Sequence, residues 1–498
     1  MEQATEAQGK VKYQAIDRSQ VRWEQVDNEE RIPQNHAARV IWEVSGKFDI
    51  GRFEATRKTR EDEAGRPCWP PRLLASIWIY SYSLGVASAR AIQRMMEHEP
   101  GLRWLAGTEV INHHRLSDFR VEDQEGVEGL LAQFLAMREA AEVVDLRTML
   151  EDGTKVKAVA GRAWLHRRKR LEQRLKQARK VMRELDRRAA AEEGEGVDRK
   201  PEAAQKRAAE EAVKRATAAL EKIQKLEAQV APREREQVRV SASEPEARKM
   251  KHADGSWAPS YNVPVSTEAQ SRMITAMGVS TAANDLQELM PAVEKVEHNT
   301  GQQPQQGIAD NGYATRHNVE QTSAQNIELI APWRDDRSRE AGACKRNGIA
   351  AEFGASAFGG RAGGKQLICP AAKKLVVIEE RMHHGLRRPV FAARASDCGR
   401  CGYRRQGCPG GGARRVERVV ESAAMRRYLA RMKRPEVKQL YKKRSEIAEF
   451  PHLWAKAVKG WRRFSVRGLI KAGMEAIWVA LAYNVTQWIR VRPQPAAA

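Results

Sequence analysis

Apolar residues recur at three- and four-residue spacing across residues 70–137, a pattern that predicts a compact module of helices. The module opens on Pro70 and Pro71, and proline suits the first turn of a helix. Its longest apolar run, residues 73–86, has 14 residues and includes serine and tyrosine. A membrane span needs roughly 20 apolar residues, so we expect no insertion into a membrane.

The middle of the chain alternates between strand-like and helix-like patterns. Residues 143–158 are rich in β-branched and apolar residues and contain Asp152-Gly153, which predicts a strand that runs into a turn. Residues 164–231 are dense in Ala, Glu, Lys, Arg and Leu and predict an antiparallel helical hairpin that turns near residues 194–201. Further strands are predicted at 261–266, 273–279, 307–310 and 327–333, with a helix at 285–296.

This order of elements predicts a mixed α/β layer fold with one large helical excursion. A Gly-, Arg- and Cys-rich stretch breaks the pattern at residues 334–414, and a basic helical tail follows at 424–488. The predicted units are an N-terminal helical, DNA-binding domain (1–137), the first part of the core (138–163), the helical-hairpin insertion (164–240), the second part of the core (241–333), the Gly/Arg/Cys-rich insertion (334–414) and the C-terminal helical part of the core (415–498).

Charge and cysteine content restrict the class of partner and the compartment. The 498 residues include 87 Lys and Arg against 64 Asp and Glu, a formal net charge of +23. An excess of this size favours a polyanionic partner, and nucleic acid is the leading candidate. The first residues lack an apolar stretch behind a basic start, so we expect a cytosolic protein. Its six cysteines are then expected to be reduced thiols or metal ligands.

Two aspartates are predicted to end strands of one sheet. Asp310 follows the apolar residues 307–309, and Asp152 precedes a predicted turn. Paired carboxylates repel each other unless a divalent cation such as Mg²⁺ lies between them. Two such ions about 4 Å apart stabilise the attacking and leaving oxygens of phosphodiester displacement. The alternative for Asp310 is a solvated aspartate that begins an Asx-turn.

A third acid is expected from the C-terminal helical region. On one continuous helix, Glu449 and Lys456 would lie within about 20° of each other, with Tyr441 and Arg444 on the adjoining arc. Such a face would suit a scissile phosphate. Pro451 predicts a kink or a new helix start beside Glu449, which leaves Glu446 as the alternative third acid.

Together these motifs resemble those of bacterial insertion-sequence transposases with an RNase H-like DDE core, in the group that carries a Tyr-Arg-Glu-Lys signature. The similarity covers roughly residues 30–490 and rests on the order of several boxes rather than on any single one. The boxes are Asp-Gly-Thr-Lys (152–155), Ala-Asp-Asn-Gly-Tyr (309–313), Tyr441 with Arg444, Glu449 and Lys456, and the segments 73–90, 115–120, 243–266 and 462–485.

The resemblance implies a DNA transposase with an RNase H-like mixed sheet flanked by helices. Asp152, Asp310 and Glu449 would form its metal-binding catalytic triad, with Mg²⁺ or Mn²⁺ as the cofactor. Tyr441, Arg444 and Lys456 would contact the ends of the element. The expected partners are transposon ends and target DNA, and the expected setting is the bacterial cytoplasm and nucleoid, with a homodimer or larger synaptic complex.

Several predictions leave alternatives open. A metal-dependent nuclease that does not join ends, or a non-catalytic DNA-binding protein with the same fold, would fit the same composition. Arg115 and Arg120 of the N-terminal module are either solvated arginines or contacts to DNA phosphates.

The cysteines of the insertion form a separate motif. Cys398-x2-Cys401 provides one half of a structural Zn²⁺ site, and Cys369 and Cys408 would complete four thiolates. The alternative is a set of reduced, partly buried thiols.

Overall fold

The computed structural model describes residue 19 and residues 27–57, 67–141, 145–191, 200–333, 337–361, 366–383, 386–407 and 412–491. The helices within these residues are α1 (Ala37–Ser45), α2 (Gly51–Ala55), α3 (Pro71–Ser83), α4 (Ala89–Met95), α5 (Pro100–Ala106), α6 (His113–Phe119), α7 (Gln124–Glu139), α8 (Arg168–Ala191), α9 (Lys200–Ala228), α10 (Leu289–Thr300), α11 (Arg316–Ala324), α12 (Arg337–Arg346), α13 (Ala395–Gly399), α14 (Arg404–Gly407), α15 (Ala423–Arg431), α16 (Pro435–Lys442), α17 (Arg444–Leu453) and α18 (Leu469–Val491). The strands are β1 (Thr148–Lys157), β2 (Leu165–His166), β3 (Val240–Ser241), β4 (Arg248–Lys251), β5 (Trp257–Glu268), β6 (Ile274–Met277), β7 (Gln306–Ala309), β8 (Glu328–Ile330), β9 (Gly359–Arg361), β10 (Gln366–Ile368), β11 (Lys374–His383), β12 (Leu386–Ala393) and β13 (Arg415–Glu417).

A mixed sheet forms the centre of the fold, as the pattern of apolar residues predicts. Its strand order is β4-β5-β1-β7-β8, and β6 pairs with β5. Strand β5 runs antiparallel to β1, β4 and β6, whereas β7 runs parallel to β1 and β8 parallel to β7. The side chains of β5 are almost all buried, although they include the polar residues Ser260, Asn262 and Ser266. This sheet therefore brings β1 and β7, which are far apart in the sequence, side by side.

The N-terminal helices share a hydrophobic core with the C-terminal helix and the sheet. Helix α18 packs on α3 and α7, and residues of these helices and of β5 and β6 belong to one buried cluster. Trp78 and Trp478 are fully buried, and their indole N–H groups donate to the carbonyl oxygens of Leu116 (2.9 Å) and Arg120 (3.1 Å). The helical prediction for residues 70–137 is confirmed, and these helices support the central sheet from one side.

The predicted helical hairpin is present between β2 and β3. Helices α8 and α9 pack along each other, and ion pairs join Arg168 to Glu227 and Lys206 to Asp186 (2.8 Å). Because these pairs connect the start of one helix to the end of the other, the two helices are antiparallel. Leu171, Ala219 and Ile223 anchor the hairpin at its base.

Residues 337–417 contain more regular structure than the sequence indicates. Strands β9 to β13 form an antiparallel sheet of five strands in the order β13-β12-β11-β10-β9, with a small core that includes Leu375 and Phe391. The sequence pattern does not reveal this sheet. Glycine has a low β-propensity, and the many arginines interrupt the alternation of apolar and polar positions. Within the described part of the chain, no helix combines the length and the apolar character needed to cross a membrane.

Candidate functional site

Asp152 and Asp310 lie next to each other at the point where β7 ends. The parallel pairing of β1 with β7 runs from Thr148 opposite Gln306 to Glu151 opposite Ala309, so the next residue on each chain is one of the two aspartates. The prediction that β1 turns at Asp152-Gly153 was wrong. Strand β1 continues to Lys157 because β5 pairs with it along this length, with Asp152 opposite Val265. Only Asp310 ends its strand.

Asp152 is a largely buried carboxylate with a cationic partner. Its Oδ1 atom lies 2.9 Å from Nη2 of Arg444 and accepts the backbone N–H of Gly153 at 3.0 Å. Burial raises the pKa of Asp152 to about 6, the negative charges of Asp310 and Asp285 add to the rise, and Arg444 opposes it. The carboxyl group is therefore held near its midpoint of ionisation in weakly acidic solution.

Asp285 is an acid of this site that sequence reasoning missed. Its Oδ1 accepts a hydrogen bond from Nδ2 of Asn262 at 2.6 Å, and burial followed by the charge of Asp310 raises its pKa. A Cβ atom added to Gly153 would lie 2.3 Å from this oxygen, so only glycine at 153 admits the approach of Asp285. Asp285 was predicted to lie in a helix, but α10 begins at Leu289, and the loop before it directs the carboxylate to β1.

A second buried acid lies beneath the pair. Glu151 is fully buried, accepts a hydrogen bond from the Ser266 hydroxyl at 2.5 Å and lies 3.4 Å from the hydroxyl of Tyr313. Burial raises the pKa of Glu151 well above its ordinary value, which favours the neutral acid. Glu151 thus links β1, β5 and the turn after β7 below the two aspartates.

The helical region with the third acid is divided, whereas the sequence predicts one helix face. Tyr441 lies on α16, Arg444 begins α17, and Lys456 lies in a π-helical turn, Trp454–Val458. Helix α17 continues through Pro451, so the predicted kink or new start beside Glu449 was wrong. The helix becomes irregular only after Leu453, where the π-helical turn begins. Proline, which has no N–H, commonly distorts a helix, and so does a π-helical turn.

Glu449 and Glu446 both line the cleft that contains Asp152. The cleft has a volume of about 780 Å³, and α17 packs on β1 to form one of its walls. Both glutamates are exposed, and in the described part of the chain neither has a hydrogen-bond or ion-pair partner. Among the described residues, no three His, Cys, Asp or Glu side chains are already placed around a common cation position. The choice of third acid therefore stays a prediction.

Three further side chains predicted from the sequence are engaged within the protein. Arg444 is buried against Asp152. Tyr441 is half-buried, and burial raises its pKa, whereas the charge of Arg444 and a hydrogen bond to it oppose the rise. The ammonium group of Lys456 donates to the carbonyl oxygen of Lys155 at 2.9 Å and to the hydroxyl of Thr154. Burial lowers the pKa of Lys456 to about 8. Contacts of these residues with DNA stay a prediction.

His452 also faces Asp152 and was not anticipated. Its Nε2 atom lies 3.6 Å from Oδ2 of Asp152, and burial, followed by the charges of Lys456 and Arg444, lowers its pKa to about 3. The imidazole is neutral at physiological pH. The available sequence signal was its position three residues after Glu449, which places both on neighbouring parts of one helix surface.

Arg115 and Arg120 of the N-terminal helices are less exposed to solvent than the sequence predicts. Arg120 is buried, and its Nη1 atom donates to Ala87 O and Ser465 Oγ, both at 2.7 Å. The alternative of a solvated arginine is therefore wrong for Arg120, because its guanidinium joins the N-terminal helices to the segment before α18. A contact of Arg120 with DNA stays a prediction. Arg115 is partly exposed and pairs with Glu122 at 3.3 Å, and its contact with DNA stays a prediction.

The cysteines of the insertion lie near one another. Cys369, Cys398 and Cys401 border a common small cavity and are not joined by disulfides. The sulfur atoms of Cys369 and Cys398 accept the backbone N–H groups of Lys373 and Arg414, both at 3.4 Å. Cys408 lies outside the described residues, and the three described thiols do not form a metal-binding group. The zinc site stays a prediction.

Comparisons with known families match both ends of this architecture. Residues 26–122 match a family described as "Transposase domain (DUF772)", which corresponds to helices α1–α6. Residues 368–489 match a family described as "Transposase DDE domain", which includes β11–β13 and α13–α18. Comparisons with curated proteins and with solved structures gave no match.

Proposed function

The two matched domains support an insertion-sequence transposase, and on that premise we propose that this protein binds the terminal inverted repeats of a DNA element, cleaves the DNA there and joins the freed 3′ ends to a target. The observation that carries the proposal is the adjacency of Asp152 and Asp310 across β1 and β7, beside a cleft lined by α17. The strand order β4-β5-β1-β7-β8, with β5 antiparallel to β1, supports the RNase H-like arrangement.

The donor groups of this site fit a divalent cation. Asp152, Asp310 and Glu449 offer carboxylate oxygens, which Mg²⁺ and Mn²⁺ prefer, and two of the three are already neighbours. Burial, and after it the charges of Asp310 and Asp285, raise the pKa of Asp152, and a bound cation would favour the ionised carboxylate. Bound there, such a cation would polarise the phosphate and activate the attacking oxygen.

The other residues of the cleft have positioning and binding roles in the proposed reaction. Arg444 holds one oxygen of Asp152 and leaves the other directed into the cleft. Lys155, Lys157 and Arg462 line the same cleft and supply positive charge for the DNA backbone. Synapsis of two ends would require a homodimer or a larger assembly, and the net charge of +23 supports extensive phosphate contact.

A strand-transfer assay distinguishes the proposed transposase from a nuclease. The full-length protein is incubated in Mg²⁺ with labelled DNA cut at the ends of its own element and with plasmid target. We expect joined products that disappear when the ends carry 3′-dideoxy nucleotides, since the 3′-OH is the nucleophile. Cleavage of uncut ends without any joining of pre-cut ends would favour a nuclease instead.

Metal affinity should depend on pH in a defined direction. Because the pKa of Asp152 is raised to about 6, a proton competes with the cation for this carboxylate below that pH. We expect Mn²⁺ affinity to be constant above about pH 7 and to fall about tenfold for each pH unit well below the pKa. Calorimetric titration of Mn²⁺ between pH 5 and 8 measures this dependence. An unchanged affinity from pH 7 to pH 5 would contradict it.

Glu449 and Glu446 can be separated by substitution. Arg444 and His452 mark the side of α17 that faces Asp152. At about 100° per residue, Glu449 lies about 60° from His452 around the helix and Glu446 lies about 120° away. We expect Glu449→Gln to lower DNA cleavage about a hundredfold or more and Glu446→Gln to leave it within about threefold of wild type. The reverse ranking would assign the third acid to Glu446.

A further inference from the structure

The Nε2 atom of His452 is a buried polar atom that lacks a hydrogen-bond partner. It has almost no contact with solvent and accepts or donates no hydrogen bond within the described part of the chain. Buried nitrogen atoms are rarely left in this state, so each one calls for a physical explanation. Oδ2 of Asp152 lies 3.6 Å from this nitrogen.

The carboxylate oxygen of Asp152 that faces His452 is Oδ2. Its Oδ1 atom is satisfied by Arg444 at 2.9 Å and by the backbone N–H of Gly153 at 3.0 Å. Among the described residues, the only hydrogen-bond or ion-pair donor recorded near its Oδ2 atom is Nε2 of His452. A separation of 3.6 Å is too long for a hydrogen bond, so the two atoms face each other without bonding.

This separation suits two ligands of one cation. Donor atoms about 2.1 Å from a divalent ion lie about 3.0 Å apart at a right angle and about 3.4 Å apart at a tetrahedral angle. The observed 3.6 Å is close to that range and needs only a small rotation of one side chain. A carboxylate oxygen and an imidazole nitrogen form a common mixed donor pair for Mn²⁺ and related ions.

The position of His452 is fixed from both sides. Before it, Arg444 at the start of α17 contacts Asp152 on β1. After it, Lys456 in the π-helical turn donates to Lys155 O and Thr154 Oγ1 on the same strand. These two attachments hold the intervening turn of α17 against β1, and the imidazole is therefore preorganised beside Asp152.

We propose that His452 supplies a nitrogen ligand to the divalent cation bound at Asp152. The inference rests on the proposed function, which places a cation at this carboxylate, and adds an imidazole to an otherwise all-oxygen donor set. One consequence is a preference for Mn²⁺ over Mg²⁺, because affinity for nitrogen ligands rises along the first-row divalent series and Mg²⁺ favours oxygen.

Pulsed electron paramagnetic resonance on the Mn²⁺-loaded, full-length protein tests the proposal. Protein grown with ¹⁵N-labelled histidine should show ¹⁵N coupling to the bound Mn²⁺, and His452→Gln should abolish it and lower Mn²⁺ affinity about tenfold to a hundredfold. His252→Gln is the matched control, since His252 lines the same cleft but its Nε2 atom is bonded to Ser260 Oγ at 2.7 Å. That variant should keep the coupling. Circular dichroism confirms that each variant is folded, and His452→Asn provides a second substitution.

The outcomes separate the inference from the proposed function. If Mn²⁺ binds in a way that Asp152→Asn abolishes, but no histidine coupling appears, the inference is overturned and the proposed cation site stands. If the coupling persists in both His452 variants, or is lost in His252→Gln instead, the ligand is a different histidine and the inference is overturned. If wild-type protein binds no Mn²⁺, both the cation site and the histidine ligand are refuted.

Discussion

Asp152→Asn and Asp310→Asn are each expected to lower DNA cleavage and strand transfer about a thousandfold or more, with DNA binding retained. Both substitutions remove one negative charge from the pair of carboxylates that adjoin across β1 and β7. Without that charge the site would lose most of its affinity for a divalent cation. The measurement is cleavage of labelled element ends in Mg²⁺, with binding followed in parallel by electrophoretic mobility.

The asparagine variants keep an acceptor for the backbone hydrogen bonds at both positions, although Asp152→Asn also removes the counter-charge of Arg444. The Asp310 side chain accepts the backbone N–H of Gly312 at 2.6 Å, and Asp152 accepts that of Gly153 at 3.0 Å. An amide oxygen can replace both acceptors. Asp254→Asn is the control, because Asp254 lines the same cleft but is exposed in the turn between β4 and β5. We expect this control to cleave DNA within about threefold of wild type.

Loss of cleavage in the Asp254 variant to the same extent would indicate that overall cleft charge, rather than the aspartate pair, governs the reaction. Retained cleavage in both Asp152→Asn and Asp310→Asn would contradict the catalytic assignment and favour a DNA-binding protein that keeps the fold.

Glu475→Ala is expected to destabilise the protein by about 3–5 kcal/mol, the largest effect on stability that we foresee. Glu475 lies fully buried on α18. It accepts hydrogen bonds from Ser465 N (2.9 Å), Ser465 Oγ (2.8 Å), Val466 N (3.2 Å) and Trp461 Nε1 (3.1 Å). Removal of the carboxylate leaves these donors unsatisfied and removes a negative charge that interacts with the buried guanidinium of Arg120.

Thermal and urea-induced unfolding of the full-length variants measure this effect through tryptophan fluorescence. Glu475→Gln keeps an acceptor oxygen and should lose less, about 1–2 kcal/mol. Glu297→Ala, on the exposed side of α10, is the control and should change the free energy of unfolding by less than about 0.5 kcal/mol. An unchanged unfolding midpoint for Glu475→Ala would refute the role of this buried network in joining the N-terminal helices to α18.

Elements with a strong local pattern could be predicted from the sequence, and parts of the site could not. The hairpin of α8 and α9 follows from its Ala-, Glu- and Lys-rich composition, which favours helix at almost every position. The predicted turn at Asp152-Gly153 failed because pairing with β5 overrides the turn preference of that dipeptide. Asp285 was missed because a loop residue carries no periodic signal, and His452 because its three-residue spacing from Glu449 does not by itself show that it faces Asp152.

The burial of Arg120 is another feature that the local sequence pattern could not predict. The sequence predicts that an arginine after a short helix is exposed to solvent. Arg120 is instead buried and bonded to Ser465, which is 345 positions away in the sequence. The five-stranded sheet of β9–β13 is similar, since its strands are defined by pairing with each other rather than by apolar alternation.

The sequence by itself determined the order of helices and strands through the central region, the basic character of the chain and the boxes that contain Asp152, Asp310 and Glu449, because each depends on residues close together in the chain. Only the tertiary structure decided which side chains meet. It placed Asp152 beside Asp310 through parallel pairing, brought Asp285 against Gly153, turned His452 toward Asp152 and buried Arg120 beside Glu475. These contacts join residues that are distant in sequence, and their energies depend on burial and geometry that exist only once the sheet and the helices have packed.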